Sequence, residues 1–185
     1  ALANKEKYDD EYIVLSDATT RTVRNKDADA LGYAETWDGD ITKGVDDLYS
    51  YVDELDIQSV GKGWGGQHFN GISFSEELID ASECVDFSFA IYNPNSTSSH
   101  CMFYTQGWYR IPNESTSYTL NPGWNDFTFE IKDGAFNSSD GSIDASLDNF
   151  SIIIMDNQVG NPWKITSFFG RKVPSSYIQS IIDKI

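Results

Sequence analysis

The sequence predicts an all-β protein, an antiparallel β-sandwich. Between Val85 and Ile131, apolar and polar side chains alternate on both sides of turns rich in Asn, Pro and Gly, and a period of two residues is typical of a strand with one buried face. Strand-like segments between turn signals recur along the rest of the chain, without the alternation with long helices that indicates a parallel sheet. Trp and Tyr side chains also lie beside these strands at positions that a core does not require.

The two clearest strands cover residues 85–92 and 124–131. An NPN turn ends the first strand, and an LNPG turn precedes the second. Trp124 is out of phase with the apolar set, so we expect it on the outward face. The predicted inward-facing side chains are Val85, Phe87, Phe89, Ile91, Phe127, Phe129 and Ile131.

The other elements divide the chain into three parts. We expect a flexible N-terminus over residues 1–10, a sandwich domain over 11–173, and over 174–185 a helix or the start of a linker to a neighbouring domain. Apolar residues at spacings of three and four predict a short amphipathic helix packed on the sandwich, so the fold would contain one or two short helices. The residues of this predicted helix are Val45, Leu48, Tyr49, Val52 and Leu55.

The charge balance excludes several classes of partner. The chain has 29 acidic and 13 basic side chains and a formal net charge of −16, which repels nucleic-acid phosphates and anionic lipid headgroups. No apolar run approaches the roughly 20 residues that span a bilayer, so we expect no membrane insertion. Neutral, hydroxyl-rich partners are compatible with this surface.

The motifs of common enzymes are absent from the sequence. The chain has two His residues and neither a G-x-S-x-G motif, a zinc-binding pattern nor a phosphate-binding loop. We therefore predict a protein that is not an enzyme and requires no cofactor. Glycoside hydrolysis needs only two carboxylates, so a small glycosidase or lyase is the alternative, with Glu35, between Tyr33 and Trp37, as its candidate acid.

Oxygen-bearing side chains cluster in two segments and give a candidate calcium site, since Ca²⁺ prefers such ligands. Neither segment matches an EF-hand loop, and a solvated acidic loop is the alternative interpretation. The candidate ligands are Asp38, Asp40, Asp133, Asn137 and Asp140.

The two cysteines, Cys84 and Cys101, flank a predicted strand and its turn. In a simple hairpin their sulfur atoms would be out of register, so we expect two buried thiols. A disulfide requires their strands to lie in opposite layers, which leaves the redox compartment open.

Aromatic residues predict a sugar-binding surface. An exposed aromatic ring accepts the C–H face of a pyranose, while amides, carboxylates and Arg bind its hydroxyl groups. A Trp in a loop can instead cover the edge of a core, which is the alternative for each residue. We predict stacking by Trp108, Trp64, Trp37 and Trp163, and hydroxyl contacts by Tyr109, Gln67, His68 and Arg110.

Four segments carry a resemblance to a known class of domains: VDFSFAIYNP, PGWNDFTFEI, LDNFSIIIMD and WKITSFFG. Over roughly Glu11 to Val173 the chain resembles the galactose-binding-domain-like β-sandwiches, of jelly-roll type, that serve as non-catalytic carbohydrate-binding modules in bacterial polysaccharide-degrading systems. The resemblance implies a module that tethers a larger extracellular or cell-surface protein to polysaccharide. Its implied ligand is starch-like α-glucan, ahead of plant cell-wall β-glycan.

A third class of function is a structural or adhesion domain. The main reason to consider such a domain is the apolar C-terminal tail from Tyr177 to Ile185, since such a tail could contact another domain of a longer chain. In that case exposed Trp side chains would contact protein rather than sugar.

Overall fold

The structure is a computed structural model that describes residues 12–20, 23–24, 37–62, 68–74, 84–105, 109–111, 117–132, 143–144, 150–155, 160–172 and 182–184. It contains strands β1 (Tyr12–Ser16), β2 (Val23–Arg24), β3 (Trp37–Asp46), β4 (Ser50–Lys62), β5 (His68–Phe74), β6 (Cys84–Asn93), β7 (Ser99–Thr105), β8 (Tyr109–Ile111), β9 (Tyr118–Leu120), β10 (Gly123–Lys132), β11 (Ile143–Asp144), β12 (Phe150–Met155), β13 (Gly160–Thr166) and β14 (Phe168–Lys172).

These strands form two layers of a β-sandwich. In the first layer β6 pairs with β10 on one side and with β14 and β13 on the other, β14 continues to β1, and β13 continues through β4 to β3. The second layer contains β2, β5, β12, β7, β8 and β9. The long strand β4 also pairs with β5 at its far end, so the layers belong to one curled sheet. All described pairs are antiparallel except β10 with β11, which confirms the predicted fold class.

A cluster of phenylalanine rings forms the core between the layers. Phe89 on β6 lies 4.5 Å from Phe168 and 5.5 Å from Phe103 of the second layer, measured between ring centroids. Phe87 and Phe129 pack beside them at 5.6 Å. The predicted inward face of β6 is thereby confirmed, because Phe87, Phe89 and Ile91 are fully buried.

The helix predicted from Val45 to Leu55 is wrong, because this segment is a β-hairpin. β3 and β4 pair from Asp46 and Ser50 outward. Asp46 Oδ1 accepts hydrogen bonds from the backbone N–H groups of Leu48 and Tyr49, and an aspartate that binds the backbone two residues on is typical of a turn. Ser50 has a φ of 66°, a left-handed conformation outside the helical region.

The two cysteines are buried thiols, as predicted. Cys84 begins β6 in the first layer and Cys101 lies in β7 in the second, and no disulfide joins these two described residues. Burial raises the pKa of the Cys101 thiol far above its ordinary value, because the charged thiolate is disfavoured away from water. Of the C-terminal tail the structure describes only residues 182–184, so its predicted helix stays a prediction.

Candidate functional site

The outer face of the first layer carries a row of side chains that runs across four strands. Glu54 on β4 is opposite Lys164 on β13, Lys164 is opposite Tyr92 on β6, and Tyr92 is opposite Trp124 on β10. Directly opposed residues project from the same face of a sheet. All four side chains are partly exposed, so charged and aromatic groups meet on one accessible surface.

Two rings at the end of this row form a tilted pair. The Tyr92 and Trp124 ring centroids lie 5.3 Å apart with an angle of 59° between the planes. Lys164 Nζ lies 5.1 Å from the centroid of the Tyr92 ring, within the range of a cation–π contact. The row therefore ends in an aromatic surface with an ammonium group at its side.

The turn before β10 positions Trp124. Gly123 has a φ of 91°, which a residue without a Cβ atom adopts at little cost. The Asn125 side chain donates hydrogen bonds to the carbonyl oxygens of Asn121 and Gly123, and its own oxygen accepts one from the Asn121 N–H. The LNPG turn is thus closed by a side chain of the strand that follows, and the direction in which Trp124 projects is set locally.

A third ring reaches this surface from the β3–β4 turn, which we call the arm (residues 46–50). The Tyr49 ring lies 4.3 Å from Trp124, with 56° between the planes, and the Tyr49 hydroxyl donates a hydrogen bond of 2.9 Å to Asp126 Oδ1. Asp46 Oδ2 lies 3.5 Å from Lys164 Nζ. We call Tyr49, Tyr92 and Trp124 the outer aromatic cluster.

These contacts place the arm over the outer face. Three residues of this outer face lie next to the row, each two positions from a row residue on the same strand: Val52 on β4, Thr166 on β13 and Ala90 on β6. All three are fully buried. The arm contacts β13 through Asp46 and β10 through Tyr49, on either side of β6. The arm therefore crosses the outer face at β6 and contributes Tyr49 to the outer aromatic cluster.

The electrostatics of the cluster keep the Tyr49 hydroxyl protonated. Burial raises the Tyr49 pKa above its ordinary value, and the hydrogen bond to Asp126 and the charges of Asp126 and Asp46 raise it further. The hydroxyl thus stays a donor to the carboxylate. Asp126 itself is exposed, so its carboxylate also faces water and any ligand on this surface.

Polar side chains continue the outer face along β10. The Ser88 and Thr128 hydroxyls lie 2.9 Å apart, and Arg171 binds Asp86 through its Nε and Nη2 atoms, the latter at 2.8 Å. From Trp124 to Glu130, seven residues of extended strand separated by six steps, this polar surface is roughly 20 Å long. It offers hydroxyl, carboxylate and guanidinium groups along its length.

The prediction that Trp163 stacks on a sugar is wrong. Trp163 is fully buried in the core cluster and is opposite Leu55 in the sheet, so its ring has no face for a ligand. The strand WKITSFFG is present in the structure as β13 and β14, but Trp163 lies on the inner face of β13. Pro162 lies at an irregularity between Gly160 and Trp163, a position in which a strand tolerates proline.

The other predicted site residues lie outside the side chains that the structure describes. Trp64, Gln67 and Trp108 fall outside the described residues altogether, as do Glu35, Asp133, Asn137 and Asp140. For a second group the structure gives the backbone strand but not the side chain: Trp37, Asp38 and Asp40 in β3, His68 in β5, and Tyr109 and Arg110 in β8. Their roles stay predictions.

The sequence contained the signal for part of the site. The phase of Trp124 and of Tyr92 in their strands places both on the outward face, and the structure confirms this. Tyr49 was missed because its spacing was assigned to a helix. The apposition of Tyr49 with Trp124, 75 residues further along the chain, depends on how the arm folds over the sheet, which no local pattern encodes.

Of the protein families, curated proteins and solved structures compared with the chain, only solved structures align with it. Neither a protein-family model nor a curated protein matches the sequence. Among solved structures, the Family 11 carbohydrate-binding module from Clostridium thermocellum, in complex with a β-1,3-1,4-mixed-linked tetrasaccharide, aligns with a TM-score of 0.49 at 11% identity, over 88% of this chain and 96% of that one.

Two further solved structures are similar to the same degree. The module CBM27-1 from Caldicellulosiruptor saccharolyticus, in complex with mannohexaose, has a TM-score of 0.47 at 12% identity, over 86% of this chain and 96% of that one. The K1 cleaved adhesin domain of Lys-gingipain from Porphyromonas gingivalis W83 has a TM-score of 0.46 at 13% identity, over 88% and 98%.

The described part of the chain has neither a metal-binding cluster nor a membrane-spanning helix. No group of three or more His, Cys, Asp and Glu side chains there is arranged to hold a metal ion. The described segments also include no helix that is long and apolar enough to cross a membrane.

Proposed function

We propose that this protein is a non-catalytic polysaccharide-binding module and that the outer aromatic cluster is its binding surface. The observation that carries the proposal is the partly exposed Tyr92–Trp124 pair on the outer face of the sheet, flanked by Lys164 and Asp126. Aromatic rings accept the C–H faces of sugars, and charged side chains hydrogen-bond strongly to hydroxyl groups. A rigid sheet holds such groups in place without reorganisation.

The length of the polar surface along β10 supports a chain-like ligand. Polar groups follow the rings along β10 through Ser88 and Thr128 to Asp86 and Arg171. A surface roughly 20 Å long can contact several consecutive sugar units, with water filling imperfect contacts. We therefore propose that the ligand is a polysaccharide rather than a monosaccharide, and that the protein acts outside the cell or on its surface.

For the identity of the sugar we propose a curved chain, with starch-like α-glucan first. The ring planes of the outer aromatic cluster make angles of 56° and 59° with each other, so the rings do not form one flat platform. A tilted arrangement supports binding to a curved chain over binding to the flat face of a crystalline ribbon. We further propose that Trp37, Trp64 and Trp108, with Tyr109, Gln67, His68 and Arg110, contribute to a second sugar contact, since His68 on β5 and Tyr109 and Arg110 on β8 belong to the second layer.

The test is a depletion isotherm on insoluble starch, cellulose, xylan and mannan for the wild type and three variants. We expect wild-type retention on at least one glycan, and weakening by about tenfold or more in Trp124→Ala and Tyr92→Ala, as for the removal of a central aromatic anchor. The matched control is Tyr51→Ala, since Tyr51 is 55% exposed on the same hairpin but outside the cluster.

The outcomes of this test are distinct. Retention that is unchanged in both Trp124→Ala and Tyr92→Ala would move the binding surface elsewhere. No retention of the wild type on any glycan would end the proposal. Retention on cellulose or xylan but not starch would retain the function and reject α-glucan as the ligand.

A further inference from the structure

The arm engages both charged groups that flank the outer aromatic cluster. Tyr49 donates to Asp126 Oδ1 at 2.9 Å, and Asp46 Oδ2 lies 3.5 Å from Lys164 Nζ. The Tyr49 ring also packs on Trp124, with 4.3 Å between ring centroids. One turn of five residues thus contacts the stacking ring, the carboxylate and the ammonium group of the proposed site.

Asp46 links the conformation of the turn to the site. Its Oδ1 atom accepts hydrogen bonds from two backbone N–H groups of the turn, at 2.9 Å from Leu48 and 3.3 Å from Tyr49, while its Oδ2 atom faces Lys164. The Asp46 and Lys164 side chains are 15% and 25% exposed, so solvent screens this pair only in part. The carboxylate that closes the turn therefore also fixes the turn to β13.

We propose that Tyr49 is a positioning residue of the sugar site, and that the arm is a fixed wall that orients Trp124, Asp126 and Lys164 before the ligand arrives. This inference rests on the proposed function. Tyr49 limits the ring of Trp124 to one tilt and directs one oxygen of Asp126 toward the arm, which leaves the exposed side of the carboxylate for a sugar hydroxyl. Pre-oriented groups lose less entropy on binding, and affinity rises accordingly.

The alternative to a positioning role is an inhibitory one, in which the arm competes with the ligand. Affinity measurements distinguish the two. If the arm competed with the ligand for Asp126 and Lys164, its release would free these groups and tighten binding. The sign of the change in affinity when the arm contacts are removed therefore decides between a positioning wall and an inhibitory contact.

The first experiment measures glycan affinity for the wild type, Tyr49→Phe, Tyr49→Ala and Trp124→Ala, with Tyr51→Ala as the exposed-tyrosine control. Loss of a coupled contact in a network is expected to weaken binding roughly tenfold in Tyr49→Ala. Tyr49→Phe retains the ring contact and loses only the hydrogen bond, so roughly a threefold weakening is expected. A positioning role predicts this loss of affinity per folded molecule, with the urea unfolding midpoint of Tyr49→Phe equal to that of the wild type; a purely structural role predicts that affinity per folded molecule does not change.

The second experiment needs no sugar. Amide hydrogen exchange at residues 46–50 should be faster in Tyr49→Ala and Lys164→Met than in the wild type, while exchange in β6 and β10 stays slow. Unchanged exchange in both variants would show that these contacts do not hold the arm and would overturn the proposal.

The affinity results have distinct meanings. Wild-type binding that is lost in Trp124→Ala but unchanged or tighter in both Tyr49 variants overturns the positioning role and leaves the proposed function intact. Absence of wild-type binding to every glycan overturns both.

Discussion

The two faces of β6 and β10 use aromatic residues in different ways. On the inner face, Phe87, Phe89 and Phe129 stack at centroid distances from 5.6 to 6.1 Å and are almost completely buried. On the outer face of the same strands, Tyr92 and Trp124 are tilted and partly exposed. Phenylalanine has no polar atom to satisfy, whereas Tyr and Trp combine an apolar ring with a hydrogen-bonding group that can face water.

This difference separates stability from binding on a single pair of strands. Substitutions on the inner face should lower the free energy of unfolding and leave the affinity of the folded protein unchanged. Substitutions of Tyr92 and Trp124 on the outer face should weaken binding and lower the free energy of unfolding by less, because these two side chains are only partly buried.

The largest effect is expected for Phe89→Ala. Phe89 is fully buried between the layers and contacts Phe168 at 4.5 Å, so its removal leaves a cavity that close-packed neighbours fill only in part. We expect a loss of about 3–5 kcal/mol in the free energy of unfolding, measured by urea denaturation. Binding per folded molecule should equal that of the wild type, and weaker binding of the folded fraction would contradict the separation of the two faces.

The next effect is expected for Trp163→Phe, which tests the corrected position of this residue. Trp163 is fully buried in the core, so the smaller ring should lower the free energy of unfolding by about 1–3 kcal/mol. Glycan retention should be unchanged, in contrast to Trp124→Ala. Retention that falls with no loss of stability would return Trp163 to the ligand surface.

A third effect is expected for the buried carboxylate of Asp53 on β4. Asp53 is fully buried and forms an ion pair with Lys43 on β3, which among the described strands pairs only with β4 and so forms an edge of the described sheet. An inward-pointing charged residue on an edge strand also disfavours edge-to-edge pairing with other chains. In Lys43→Met the buried carboxylate loses a partner, and we expect a loss of about 1–2 kcal/mol, measured by urea denaturation. An unchanged unfolding midpoint would show that other contacts of Asp53 suffice.

The strands could be predicted from the sequence where the hydrophobic pattern is local. Alternation identified β6 and β10 and their inner faces, since a period of two residues specifies which side chains share a face. The same alternation predicts Trp124 on the outer face, where the structure has it. These predictions depend only on neighbours within one strand.

The hairpin could not be predicted in the same way. Val52 and Leu55 are both fully buried although they lie on opposite faces of β4, whereas Val45 and Leu48 are exposed. The apolar spacing that predicts a helix therefore does not correspond to one buried face. The turn between β3 and β4, with the sequence DDLYS, contains neither Gly nor Pro, and its closure by Asp46 leaves little local signal.

The smallest effect is expected for the ion pair on the outer face. Arg171 binds both oxygens of Asp86 with distances of 2.8 to 3.2 Å, yet the Arg171 side chain is 40% exposed. Exposed pairs contribute about 0–1 kcal/mol because water and salt screen them, so Arg171→Met should hardly change the urea midpoint. Because Arg171 lies at the far end of the polar surface from Trp124, affinity for long chains should fall while affinity for short oligosaccharides stays constant. Equal loss for short and long ligands would place the binding site around Arg171 rather than around the outer aromatic cluster.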